Sequence, residues 1–112
     1  MDLADETLID RAHLDAQTFG DDAFAQELLD LFADQCRRLM PGIADAGLPA
    51  PDRADLAHTL KGSALGVGAA RVAARAAETE DALRADGASA PVPVAALAKA
   101  VVDTLAALAR QG

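Results

Sequence analysis

Residues 57–69, AHTLKGSALGVGA, carry the groups in this chain best suited to chemistry. His58 is followed by Lys61, Gly62 and Ser63, with Leu65 just beyond and Gly68 at the end of the stretch. A neutral imidazole is a good nucleophile near pH 7 because its unperturbed pKa is about 6.5. Lys61 stands at i+3, where side chains on a helix meet. Its ammonium there can neutralise the oxygens of a phosphoryl group carried on the ring. Gly62 costs about 1 kcal/mol relative to alanine inside a helix. A glycine kept beside a reactive histidine suggests that something approaches the backbone closely. On a helical wheel Leu56, Leu60, Ser63 and Val67 cluster as a buried stripe, and His58 falls roughly 180° away at 3.6 residues per turn. Lys61, Gly62 and Leu65 fall beside His58, which makes Leu65 an exposed apolar contact.

Each feature also has a plain reading. Most helical histidines are ordinary surface or core residues. A lysine at i+3 is common, and a helical glycine can simply allow close packing. His13 is the competing histidine, but it has no lysine or glycine at matching spacing. Cys36 lies on an apolar stripe and reads as an inert core thiol.

The elements that position this stretch follow from periodicity and breakers. A short helix is expected over about 10–18, stopped by Gly20, with Asp21 or Asp22 capping the next. That next helix spans about 22–46, with Leu28, Leu29, Phe32, Cys36, Leu39 and Ile43 on one stripe and Pro41 disturbing its last turns. Residues 47–51, GLPAP, read as a turn whose prolines end helical structure. Asp52 can cap a third helix that runs to about Val67, where Gly66 and Gly68 break the direction. A fourth helix spans about 70–85, with Val72, Ala76, Thr79 and Leu83 inward, and residues 86–89, DGAS, end it. A fifth follows Pro91 and Pro93, with Leu97, Val101, Leu105 and Leu108 inward. The expected fold is all-α, an antiparallel four-helix bundle with a short N-terminal helix. It forms one domain over 1–112, with residues 1–6 loose.

Composition narrows the partners. The hydrophobic fraction is 52% and rich in alanine, while aromatics are only 3%, which suits closely packed helices and not a sheet. With 10 basic and 18 acidic residues the net charge is -8, so binding to a nucleic-acid backbone is not expected. No apolar run approaches the ~20 residues of a membrane span, and the acidic N-terminus lacks the features of a signal peptide. One cysteine permits no internal disulfide. A cytoplasmic monomer is the expectation.

The stretch from His58 to Ala69 resembles the signature of the histidine-containing phosphotransfer (HPt) domain family. That signature is roughly H-x-L-K-G-S-S, then a short stretch, then L-G-A. His58, Leu60, Lys61, Gly62, Ser63, Gly68 and Ala69 match it, while Ala64 stands for the second serine and Val67 for the usual leucine. Helix order and length agree across most of the chain. The resemblance implies a phosphorelay intermediate, in which His58 takes a phosphoryl group on Nε2 from a receiver-domain aspartate and passes it to another. Lys61 would steady the group. Glu80 occupies the place where the family often has a Gln or Glu bonding the histidine Nδ1, and Arg84 is close enough to reach the same neighbourhood. A plainer reading of Glu80 is half of an i,i+4 pair with Arg84. Gly62, Ser63, Leu65 and Arg84 would contribute to phosphoryl or partner binding. The implied partners are receiver domains of response regulators and of hybrid histidine kinases. No cofactor is expected on this chain, because Mg²⁺ belongs to the receiver.

No ATP-binding motif occurs, so the chain reads as a phosphoryl carrier and not as an autonomous kinase. A binding module that regulates a receiver or kinase by occupancy alone is the alternative. A bundle metal site is disfavoured, because neither histidine has the Glu-x-x-His context of inward metal ligands.

Overall fold

The computed structural model describes residues 8–85 and 92–111. These residues form α1 (Arg11–Gln17), α2 (Asp22–Ala44), α3 (Ala50–Val67), α4 (Ala70–Arg84) and α5 (Val94–Gln111). The expected loose N-terminus and the 86–89 helix stop lie outside the described residues.

Helices α2, α3, α4 and α5 close a ring of contacts, α2 on α3, α3 on α4, α4 on α5 and α5 on α2. Consecutive helices pack along one another across short connections, so they run antiparallel. The short α1 lies against α2 and α3. The core takes Ala25, Leu29, Phe32, Cys36 and Ile43 from α2, with Leu28 and Leu39 partly buried beside them. Helix α4 gives Val72, Ala73, Ala76, Thr79 and Leu83, and α5 gives Leu97, Ala100 and Val101. Leu105 and Leu108 pack at the edge of the core.

The most extensive pairing is α3 with α4, and alanines are frequent among the buried residues of these two helices: Ala54, Ala57, Ala64, Ala73 and Ala76, beside the larger Leu60, Val67, Val72 and Leu83. Thin side chains favour close approach of packed helices. A side chain on α4, Glu80, reaches His58 on α3 across this pairing.

Two local expectations at the start of α3 are corrected. The helix begins at Ala50, after Pro49 in the capping position, and no side chain caps it. Asp52 instead lies in the first turn, where a carboxylate favours the helix dipole. Pro51 sits inside that turn, where a missing N–H costs nothing. Of the two candidate caps for α2, Asp21 performs the role, its Oδ1 accepting from Phe24 N at 3.0 Å. Helix α2 continues through Pro41 as far as Ala44.

At its far end α3 stops on Gly68, which adopts a left-handed φ of 77°. The Gly68 carbonyl accepts from Asp10 N at 2.7 Å, which pins α1 to the α3–α4 turn. A Cβ on Gly68 would stand 2.9 Å from the Asp10 carbonyl oxygen. Both the backbone angle and the close approach therefore require glycine there. Gly66, expected to help break the helix, lies within α3.

Candidate functional site

The buried stripe of α3 is Ala54, Ala57, Leu60, Ala64 and Val67. Leu56 and Ser63, expected at its centre, are only partly buried at its edge. The core face is thus rotated toward α4 from the position that large side chains alone suggest. His58 stands roughly 120° from the centre of this stripe, on its shoulder, and not opposite it. The alanines caused the difference, because they are weak hydrophobic markers but are buried here.

The shoulder position leaves His58 accessible, with 62% of its side chain exposed, yet within reach of α4. Glu80 on α4 is nearly enclosed, with 10% of its side chain exposed. His58 Nδ1 lies 3.2 Å from Glu80 Oε1 and 3.1 Å from Oε2. Lys61 Nζ lies 3.2 Å from Oε1. Arg84 Nε donates to Oε2 at 2.9 Å, and Arg84 Nη2 donates to Asp55 Oδ1 at 2.9 Å. Glu80 therefore takes both the histidine bond and the i,i+4 pair with Arg84 that the sequence offered as alternatives.

Burial alone would raise the Glu80 carboxyl. Hydrogen bonds from Arg84, Lys61 and His58 outweigh it and hold the group at about 2, well below its ordinary 4.5. Near neutral pH Glu80 is a carboxylate and can only accept hydrogen bonds. A neutral His58 must then donate from Nδ1, which leaves the Nε2 lone pair free. Three cationic or donor groups on one carboxylate thus select the tautomer of the exposed ring.

The other expected site residues fall around this cluster. Gly62 and Gly66 are exposed on the outer surface of α3, and a Cβ at either would meet nothing within 4 Å. Packing among the described residues gives no reason for either glycine. Leu65 is 56% exposed, as its wheel position indicated. Ser63 turns the other way, toward α2, where its hydroxyl accepts from Gln35 Nε2 at 3.3 Å. It lines a shallow groove between α2 and α3 with Leu28, Leu31, Gln35, Arg38 and Gly66. Ser63 does not join the His58–Glu80 cluster in the described hydrogen bonds.

Asp55 and Gln35 were not singled out in the sequence. Asp55 carries a legible signal, since it lies at i−3 from His58 as Lys61 lies at i+3. Gln35 carries none, because its contact spans two helices. His13 packs beside Gly68 at the α1 junction, where a Cβ added to that glycine would stand 3.3 Å from the His13 Cδ2. Cys36 is buried in the core, and burial pushes its thiol up to about 11. Among the described residues no three His, Cys, Asp or Glu side chains gather into a group that could hold a metal. No described helix is long and apolar enough to cross a membrane.

Compared with known protein families, residues 27–111 match the model of the Hpt domain. That stretch runs from within α2 to the end of α5 and includes the whole cluster around His58. No curated protein and no solved structure gives a significant match.

Proposed function

Because the chain belongs to the Hpt domain family, a family of phosphotransfer in two-component signalling, we propose that it is a phosphorelay intermediate with His58 as the phosphorylated residue. In this reading His58 Nε2 attacks the phosphorus of an aspartyl phosphate on a receiver domain. The Nε2–P bond forms as the P–O bond to the aspartate breaks, and the aspartate leaves as a carboxylate. No proton need leave the ring, because Nε2 carries none. The ring becomes positively charged, and the Glu80 carboxylate beside Nδ1 stabilises that charge. Reversal with a second receiver aspartate restores the starting tautomer.

The observation that carries this reading is the ionised, nearly enclosed Glu80 under an exposed His58. With Nδ1 engaged by Glu80 and most of the ring exposed, the Nε2 lone pair is left for a second molecule to use. Lys61 shares Glu80 Oε1 in the unphosphorylated protein and lies one turn from the ring, so it can exchange that oxygen for those of the incoming group. The bare backbone at Gly62 and the exposed Leu65 provide the surface against which a receiver would seat. Mg²⁺ would be held by the receiver.

The test is a two-stage transfer. The protein is incubated with a phosphorylated receiver, repurified, and offered a second, unphosphorylated receiver. Label that moves onto the protein and then onto the second receiver supports the relay. Stable binding of receivers with no label on this chain would replace it with the occupancy module.

A further inference from the structure

Arg84 forms a tie between α3 and α4 immediately beside His58. Its Nε holds Glu80 Oε2 on its own helix, and its Nη2 holds Asp55 Oδ1 on α3, both at 2.9 Å. Asp55 lies one turn before His58 and Lys61 one turn after. The two oxygens of Glu80 are thus gripped from opposite sides, Oε1 by Lys61 and Oε2 by Arg84, while Nδ1 of His58 sits almost equally far from both.

The two grips are not equivalent. An incoming phosphoryl group is a strong competitor for Lys61, whose ammonium is a point charge on a flexible stem. If Lys61 leaves, Oε1 loses its cation at the moment the ring needs the carboxylate. Arg84 has a planar fork, and its two bonded nitrogens already face two different carboxylates. A fork held at both ends loses less freedom with each bond and keeps Glu80 in place. Without Asp55, the outer end of Arg84 faces solvent and the guanidinium can turn off Oε2.

Building on the phosphohistidine reading above, we propose that Asp55 is a positioning residue for His58. It acts through Arg84 and keeps Glu80 on Nδ1 when Lys61 turns to the phosphoryl group. Asp55 touches neither the ring nor Glu80 in the described hydrogen bonds, and it is 72% exposed. Its removal should therefore leave the fold intact, as exposed ion pairs contribute little to stability.

The experiment uses the full ¹⁵N-labelled chain and its Asp55→Asn, Asp55→Glu, Arg84→Met and Asp55→Asn/Arg84→Met variants. Long-range ¹H–¹⁵N spectra read the tautomer of His58 directly. Phosphoramidate serves as a small phosphoryl donor that needs no receiver. Its N–P bond breaks as the Nε2–P bond forms, and ammonia leaves. In Asp55→Asn the Nε2-protonated tautomer should gain population, and labelling of His58 should slow by a factor of about two to five, the range that exposed charge pairs support. Asp55→Glu should recover both. Adding Asp55→Asn to Arg84→Met should change neither further, because the path runs through Arg84. Unchanged tautomer and rate in Asp55→Asn would overturn the proposal while wild-type labelling still upheld His58. An equal extra loss in the double variant would also overturn it, because Asp55 would then act independently of Arg84. No labelling of the wild type at His58 would instead reject the phosphohistidine reading itself.

Discussion

Replacing Glu80 by leucine or by glutamine separates the two roles that the geometry gives this carboxylate. Leucine removes the acceptor at Nδ1 and the negative charge beside the ring. Glutamine removes the charge but keeps an amide oxygen as acceptor. A hydrogen bond to a charged group is worth about 1.5–3 kcal/mol, and a neutral one about 0.5–1.5 kcal/mol. At 1.4 kcal/mol for each factor of ten, losing the charged bond slows attack by about 10- to 100-fold. His58 is 62% exposed, so water competes for Nδ1 and the lower end applies. Glu80→Leu should therefore lower the rate of phosphoryl transfer from a receiver by about tenfold. Glu80→Gln should lower it by about three- to fivefold. Leucine fills nearly the same volume, and Lys61 and Arg84, 30% and 43% exposed, can be solvated once the carboxylate is gone, so the loss of stability should stay within about 1–2 kcal/mol and helicity should persist. The assay is the time course of label appearing on the protein at saturating receiver, with circular dichroism as the control for folding. Wild-type transfer by a folded Glu80→Leu variant would refute the reasoning. So would equal losses in both variants, since charge would then account for everything and the tautomer for nothing.

The same carboxylate sets an acid dependence. Its folded value of about 2 lies below the ordinary 4.5, so its contribution is present in full above about pH 4.5 and is lost as pH falls through 2. Taken in full the shift is worth about 3 kcal/mol, and screening on the open His58 side reduces this to about 1–2 kcal/mol. Thermal midpoints between pH 5 and 2.5 should fall more steeply for the wild type than for Glu80→Gln, and parallel curves would contradict this. Gly68→Ala should destabilise by about 1–3 kcal/mol in denaturant unfolding, through positive φ and the clash with the Asp10 carbonyl. Gly62→Ala should do the opposite, stabilising by about 0.5–1 kcal/mol while weakening receiver binding several-fold, because only a partner needs that bare backbone. Leu65→Asp should likewise weaken receiver binding in calorimetry with little change in thermal midpoint, given its 56% exposure.

Much of this architecture was legible in the chain. Helix order, the inward faces of α2, α4 and α5, and the end of α3 at Gly68 followed from period and breakers. The exposed faces of His58, Gly62 and Leu65 were also readable. What was not legible has one main physical source, the alanines of α3. A wheel weighted by side-chain size puts Leu56 and Ser63 at the centre of the core face, whereas close approach of α4 favours Ala57 and Ala64. That rotation turns His58 from a residue facing outward alone into one within reach of Glu80. The start of α3 differs from the expectation for a separate reason, since Pro51 ends a helix only when its N–H is needed, and in the first turn it is not. The tie from Asp55 through Arg84 joins residues 29 apart in sequence, a separation at which period carries no information.

The central claim is that His58 is the residue that carries the phosphoryl group. The most direct measurement is transfer of radiolabelled phosphoryl from a phosphorylated receiver to the wild-type chain and to His58→Gln, followed by acid treatment. The wild type should take up label that acid removes, as expected of a P–N bond, and the folded His58→Gln variant should take up none. Label on the variant, or acid-stable label on the wild type, would contradict the assignment.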